Sequence, residues 1–177
     1  MRRDLLDTFS EEEKLILQKR AKKLAQKNIA SISKDKEYLV CKISDELYGF
    51  ETRYMKEVFQ ISSITPLPST PEWLLGIINA RGEIISVVDL RYFFDLKIEN
   101  TDTLNRVLIL HSENMTFGIL IDGIHAVMNI ADDDLTTEFI TFDKVRKDYL
   151  LGLTKENIIL LDAEKILNDP KMIISGE

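Results

Sequence analysis

The pattern of apolar and polar residues changes near Tyr38. Before it, four residues form a narrow apolar stripe at helical spacing: Leu17, Ala21, Leu24 and Ala25. Ser10 and Glu13 match a capping box, which predicts that a helix begins there. After Tyr38, short apolar segments separated by turn residues are typical of β-strands. The sequence therefore predicts a helical extension and linker over residues 1–36, followed by a β-rich domain over residues 37–177.

Eight apolar segments in this domain predict strands: residues 38–43, 47–50, 73–80, 83–88, 106–111, 115–121, 149–154 and 157–161. Thr52 predicts the cap of a short helix that runs through Val58. Residues 124–130 predict either a short apolar helix or an extended segment. Asp89 begins a predicted helical turn, and Asp162 caps a predicted helix that ends at Leu167.

The order of these segments repeats along the domain. Three pairs of positions correspond: residues 47–50 with 116–119, Gly76 with Gly152, and residues 88–90 with 161–163. We therefore expect two similar small barrels with short helices, the first over about residues 44–92 and the second over about residues 106–160. A closed sheet leaves no exposed edge, which is a common solution for chains of many short strands.

Charge and composition narrow the classes of function. The 177 residues are 45% apolar and carry a net charge of −7, which indicates a globular protein and argues against nucleic acid as the main partner. Residues 1–37 hold ten Lys/Arg and seven Asp/Glu, so the basic character is concentrated there. The sequence shows neither an apolar run long enough to span a membrane nor a secretory signal. Cys41 has no cysteine to pair with, which agrees with a reducing cytoplasm.

A catalytic or metal-binding constellation is not evident. His111 and His125 lie 14 residues apart without a neighbouring cysteine, and residues 132–134 lack the spacing of a calcium loop. The sequence thus predicts a protein that is not an enzyme and that needs no metal or cofactor. The remaining candidates are exposed side chains on turns, chiefly Arg81, which can project freely from a hairpin and is either a solvated turn residue or a binding residue. Met55 and Val58 are either core residues, which we favour, or part of the same surface.

The stretch over residues 71–90 carries a specific resemblance. It contains Gly76, Asn79 and Arg81-Gly82 in the order Gly-x-x-Asn-x-Arg-Gly, followed by an apolar strand that ends in Asp89-Leu90. In this it resembles the CheW-like domain of chemotaxis proteins, as do the hairpins at residues 38–50, 117–124 and 149–162. The similarity extends over about residues 38–168, although Ser86 stands where the family often has proline.

This resemblance implies a fold of two five-stranded β-barrels and the function of a non-catalytic chemotaxis adaptor. The implied partners are the regulatory domain of the histidine kinase CheA and the cytoplasmic tip of methyl-accepting chemoreceptors, at receptor arrays near the inner face of the membrane. The implied partner-binding residues are Met55, Glu57, Val58, Gly76, Asn79, Arg81, Gly82, Val87 and Val127. Val87 and Val127 are assigned to a receptor groove between the lobes. Alternatives are a CheW-fold scaffold in a non-motility chemosensory pathway and a small-barrel nucleic-acid-binding protein.

Overall fold

The computed structural model describes residues 35–94, 96, 106–136 and 147–172. Within them lie ten strands: β1 (Asp35–Ile43), β2 (Glu46–Glu51), β3 (Met55–Gln60), β4 (Leu74–Ala80), β5 (Glu83–Val88), β6 (Arg106–His111), β7 (Thr116–Ile121), β8 (Gly123–Ala131), β9 (Leu150–Leu153) and β10 (Ile158–Leu161). Two short helices follow β5 and β10: α1 (Leu90–Phe93) and α2 (Ala163–Leu167). The predicted helical extension, up to residue 34, lies outside the described residues.

Each of the eight predicted strands corresponds to a strand of the structure, and both predicted helical turns are present. The predicted helix from Thr52 through Val58 is wrong, because only Thr52–Tyr54 forms a 3-10 turn before β3 begins. In residues 124–130, the extended alternative is the correct one, since they belong to β8.

The strands form two five-stranded sheets. The order is β8-β1-β2-β10-β9 in the first sheet and β3-β6-β7-β5-β4 in the second. Each sheet is mixed, because β2 pairs in parallel with β10 and β5 pairs in parallel with β7. The predicted division into lobes at about 44–92 and 106–160 does not match these sheets. Each N-terminal hairpin of a repeat pairs with strands of the other repeat, so the second sheet is the continuous stretch β3 to β7 and the first combines both ends of the domain.

The sheets are not closed barrels, which corrects the predicted architecture. In the described part of the chain, the end strands of each sheet are joined only by an isolated bridge to a residue that follows the outer strand. Thr65, after β3, exchanges two backbone hydrogen bonds of 2.9 Å with Ile77 of β4. Thr136, after β8, exchanges two of 3.0 Å with Leu153 of β9. Each sheet therefore curves toward closure without completing a ladder.

Apolar residues fill both faces of each sheet. One cluster lies within the second sheet and includes Ile85, Val87 and Val107. A second lies within the first sheet and includes Tyr38 and Val40. The third and largest cluster contains residues from both sheets and both helices. Successive residues of a strand point to opposite faces of its sheet. A strand that contributes side chains both to the cluster within its own sheet and to the central cluster is therefore apolar at nearly every position.

The repeat in the sequence is visible in the strand registers. Gly76 of β4 lies opposite Val87 of β5, and Gly152 of β9 lies opposite Leu160 of β10. After these strands, Asp89 and Asp162 cap α1 and α2 by accepting backbone hydrogen bonds of 2.9 and 3.0 Å. The two sheets are thus built on the same plan.

Candidate partner-binding surface

The β4–β5 hairpin carries the strongest sequence motif at its tip. Ala80 pairs with Glu83, which leaves Arg81 and Gly82 as a two-residue loop. Both loop residues have positive φ, 55° and 92°, as a type I′ turn requires. The Gly82 N–H donates a 2.7 Å hydrogen bond to Oδ1 of Asn79. Asn79 and Gly82 therefore shape the turn that presents Arg81.

Arg81 contacts a residue that the sequence placed in the same site. Its Nε lies 3.1 Å from Oε2 of Glu57, although its side chain remains 75% exposed. The expectation that Arg81 projects freely is thus corrected to an ion pair on the surface. A second ion pair joins Lys56 to Glu83 beside it. The structure brings Glu57, Asn79, Arg81 and Gly82 together at one corner of the second sheet.

Ile84 is a surface residue that the sequence analysis missed. It follows Glu83 on β5, lies opposite Asn79, and is 62% exposed. Its neighbour Ile85 is buried in the cluster of the second sheet. The register set by the two-residue turn decides which of the two isoleucines faces outward. The position of this turn in the sequence was the signal from which the exposure of Ile84 could have been predicted. Ile84 therefore adds an exposed aliphatic side chain to the same hairpin that presents Arg81.

Met55 and Val58 belong mainly to the core. Both side chains are half-buried and pack against the central cluster. Their backbone lies on β3, next to the ion-paired Glu57. Met55 and Val58 therefore hold β3 against the central cluster, and only part of their apolar surface is exposed.

The other predicted site residues lie elsewhere. Gly76 and Val87 are buried, so the Val87 side chain cannot contact a partner while the sheet is intact. Val127 is 56% exposed on β8, and Ile124 on the same strand is also exposed. Since β8 is an end strand of the first sheet, Val127 lies apart from the hairpin corner, on the exposed side of β8, which we call the β8 surface. Ile124, three residues away, points to the opposite face of the strand.

Two of the titratable side chains in the described residues, Cys41 and Tyr54, have raised pKa values. Cys41 is buried, and desolvation raises the pKa of its thiol to about 12, so it stays protonated at neutral pH. A cavity of about 480 Å³ is lined in part by Tyr54 and Glu164. The Tyr54 hydroxyl donates a 2.6 Å hydrogen bond to Glu164, and desolvation together with this bond raises the pKa of Tyr54 to about 12. Neither group is activated as a nucleophile.

Among the described residues, no group of three or more His, Cys, Asp or Glu side chains is placed to hold a metal ion. In the same part of the chain, no helix has the length and apolar character needed to cross a bilayer.

The family model of the CheW-like domain matches residues 37–171. The chain belongs to the CheW-like family. It is 28% identical over 137 residues to the chemotaxis protein CheW of Treponema pallidum, an alignment that covers 73% of this chain and 81% of that protein. It is 29% identical over 148 residues to the chemotaxis protein CheW of Thermotoga maritima, covering 81% of this chain and 95% of that protein.

A solved structure supports the same assignment for the fold. The crystal structure of the scaffolding protein TtCheW from Thermoanaerobacter tengcongensis has a TM-score of 0.66 and 28% sequence identity. The similarity covers 77% of this chain and 95% of that one. These relatives are named as chemotaxis or scaffolding proteins, and none of these names describes an enzyme. The CheW-like fold and these relatives support the role of a chemotaxis adaptor.

Proposed function

We propose that this chain is a non-catalytic adaptor that couples methyl-accepting chemoreceptors to the histidine kinase CheA in cytoplasmic signalling arrays. The observation that supports the proposal is the β4–β5 hairpin, which exposes Arg81, ion-paired with Glu57, and Ile84 in a chain of the CheW-like family. An adaptor needs separate surfaces for its partners, and this hairpin and the β8 surface lie on different sheets.

The corner of the second sheet is the proposed contact for the CheA regulatory domain. Its exposed aliphatic residue, Ile84, gains free energy when a partner covers it. At the tip of the same hairpin, the Arg81–Glu57 pair supplies charge, which selects partners and their orientation. An apolar centre with charged residues around it is the general plan of a protein interface.

The β8 surface is the proposed contact for the receptor tip. Val127 exposes an aliphatic side chain on an end strand, which fits the apolar face of a helical hairpin. Val87 is not part of this contact, because its side chain is buried.

The experiment that tests the kinase contact is a titration of the CheA regulatory domain with the full chain and with Arg81→Glu. We expect micromolar binding by the natural chain and a loss of about thirtyfold in the variant, or about 2 kcal/mol, the usual cost of changing a central interface residue. The Arg81→Glu substitution also places a second negative charge beside Glu57, so the ion pair is replaced by repulsion between two carboxylates.

A matched control is Lys155→Glu. Lys155 lies in the turn between β9 and β10, the equivalent hairpin of the first sheet, and forms an exposed ion pair with Asp134 at 3.6 Å. We expect this charge reversal to leave kinase binding unchanged. Equal binding by the natural chain and Arg81→Glu would remove Arg81 from the contact, and an absence of binding by the natural chain would direct the search to another partner.

A further inference from the structure

The second sheet is held together near the β4–β5 hairpin by side chains rather than by a strand ladder. Its end strands, β3 and β4, are linked in the described residues by the single bridge between Thr65 and Ile77. Nearer the hairpin tip, two ion pairs extend from β3 to the hairpin. One is the Arg81–Glu57 pair, and the other joins Lys56 to Glu83.

Lys56 and Glu57, the β3 residues of the two ion pairs, lie at a β-bulge. Met55 pairs with Leu110 and Glu57 pairs with Ile109, so Lys56 is an extra residue without a counterpart on β6. Adjacent residues of a regular strand point to opposite faces, whereas a bulge changes the direction of its side chains. The bulge therefore allows both Lys56 and Glu57 to reach the same hairpin.

The Lys56–Glu83 pair restrains the backbone that carries the surface. Glu83 lies between the Arg81-Gly82 turn and Ile84, so a contact at Glu83 limits movement of both. We propose that Lys56 and Glu83 are positioning residues, whose ion pair holds the hairpin tip in the orientation that presents Arg81 and Ile84 to the CheA regulatory domain. This inference rests on the proposed function and adds two residues that act through the others.

The expected loss of kinase binding depends on how exposed the Lys56–Glu83 ion pair is. The side chains of Lys56 and Glu83 are 42% and 48% exposed, and an ion pair in such a setting contributes modestly and is screened by salt. We therefore expect each single charge reversal to weaken kinase binding by about fivefold, which corresponds to about 1 kcal/mol. The effect is expected to be smaller at high ionic strength.

The test is a charge swap in the full chain. The dissociation constant for the CheA regulatory domain is measured for the natural protein, K56E, E83K and the double variant K56E/E83K. The single variants are expected to bind about fivefold more weakly, and the double variant, which restores the pair with reversed polarity, within about twofold of the natural chain. If the double variant binds as weakly as the singles, or the singles bind normally, the positioning role is wrong.

A second measurement does not depend on the kinase. The amide protection factors of residues 82 and 83, which correct hydrogen-exchange rates measured by NMR for the local sequence, are expected to fall in E83K and to return to the natural values in the double variant. Unchanged protection factors in E83K would overturn the proposal even if binding changed. If the natural chain does not bind CheA, the proposed function fails, whereas the protection factors still decide whether the pair holds the hairpin. Lys155→Glu, on the equivalent hairpin, is expected to leave both measurements unchanged.

Discussion

At the scale of single residues, Gly76 is the position where a side chain is least tolerated by the surrounding backbone. Its φ is +140°, and a Cβ atom there would lie 2.7 Å from the Thr65 carbonyl carbon and 2.9 Å from Cα of Pro66. These are main-chain atoms, so they cannot move aside as the end of a side chain would. We expect Gly76→Ala to lower the free energy of unfolding by about 3 kcal/mol, measured by urea denaturation.

Gly82→Ala separates this steric effect from backbone strain. Gly82 also has a positive φ, +92°, but a Cβ atom there would meet no other atom within 4 Å. We expect a loss of only about 1 kcal/mol, from the unfavourable backbone conformation. Equal losses in the two variants would show that crowding against Thr65 is not what makes Gly76 necessary.

The sequence identified the residues of the β4–β5 hairpin but not the direction of their side chains. Asn79, Arg81 and Gly82 are turn residues with a recognisable chemistry, so their position at the tip could be predicted. The exposure of Ile84, by contrast, depends on the register of the hairpin, and the contact of Arg81 with Glu57 depends on a strand 24 residues earlier in the chain. Such contacts depend on which strands pair in the folded sheet, so they cannot be predicted from the local sequence.

At the scale of elements, α1 and α2 have the same position in the repeat but different first turns. Asp89 is buried and accepts hydrogen bonds from Nε and Nη2 of Arg91, at 2.8 and 2.7 Å, in addition to capping α1. We expect Asp89→Asn to lower the free energy of unfolding by about 3 kcal/mol, because it retains a capping side chain but removes the carboxylate that is hydrogen-bonded to the buried guanidinium, which leaves Asp122 as its remaining counter-charge. Thermal or urea unfolding of the purified variant measures this loss.

Asp162→Asn is the matched variant on α2. Asp162 also caps its helix, by accepting a hydrogen bond from the Lys165 N–H, but its ionic partner, the Lys165 ammonium, is exposed and lies 3.5 Å away. We expect a change of at most about 1 kcal/mol, since asparagine is also a good capping residue and an exposed ion pair contributes little. A similar cost at both positions would contradict the argument that the buried charge pair makes the difference.

The elements that the sequence predicted least well, β3 and β8, are the outer strands beside the open side of each sheet. In β3, the bulge at Lys56 interrupts the alternation of apolar and polar residues. Tyr54, Met55 and Val58 then fall at a spacing that is also typical of a short helix. A local pattern cannot distinguish a bulged strand from a helical turn, because the bulge is defined by the partner strand β6.

At the scale of the whole molecule, the repeat could be predicted from the sequence but the exchange of hairpins between repeats could not. The order of elements, the paired glycines and the two capping aspartates are local features. The parallel pairing of β2 with β10 joins Phe50 to Leu161, more than a hundred residues apart. Two separate lobes and two sheets with exchanged hairpins bury the same apolar segments, so hydrophobic pattern alone does not choose between them.

This exchange predicts how the molecule responds to being cut between the repeats. A fragment of residues 36–100 would contain β1, apart from its first residue, through β5, and a fragment of residues 101–177 would contain β6 to β10. In the first, β2 lacks its parallel partner β10 and β5 lacks β7. We expect each fragment alone to be largely unfolded by circular dichroism, and their equimolar mixture to recover the β-sheet signal as a one-to-one complex in size-exclusion chromatography.

A fragment of residues 52–122, of similar length, is the informative comparison. It contains β3 to β7, which form the complete second sheet and the apolar cluster within it. It should therefore retain more β-structure than either half, although it exposes the side that faces the central cluster. If instead the fragment of residues 36–100 folds alone and does not bind the other half, the repeats are independent units and the exchange of hairpins is not required for stability. Because the central cluster draws on both sheets and both helices, we expect the two halves to fold only together.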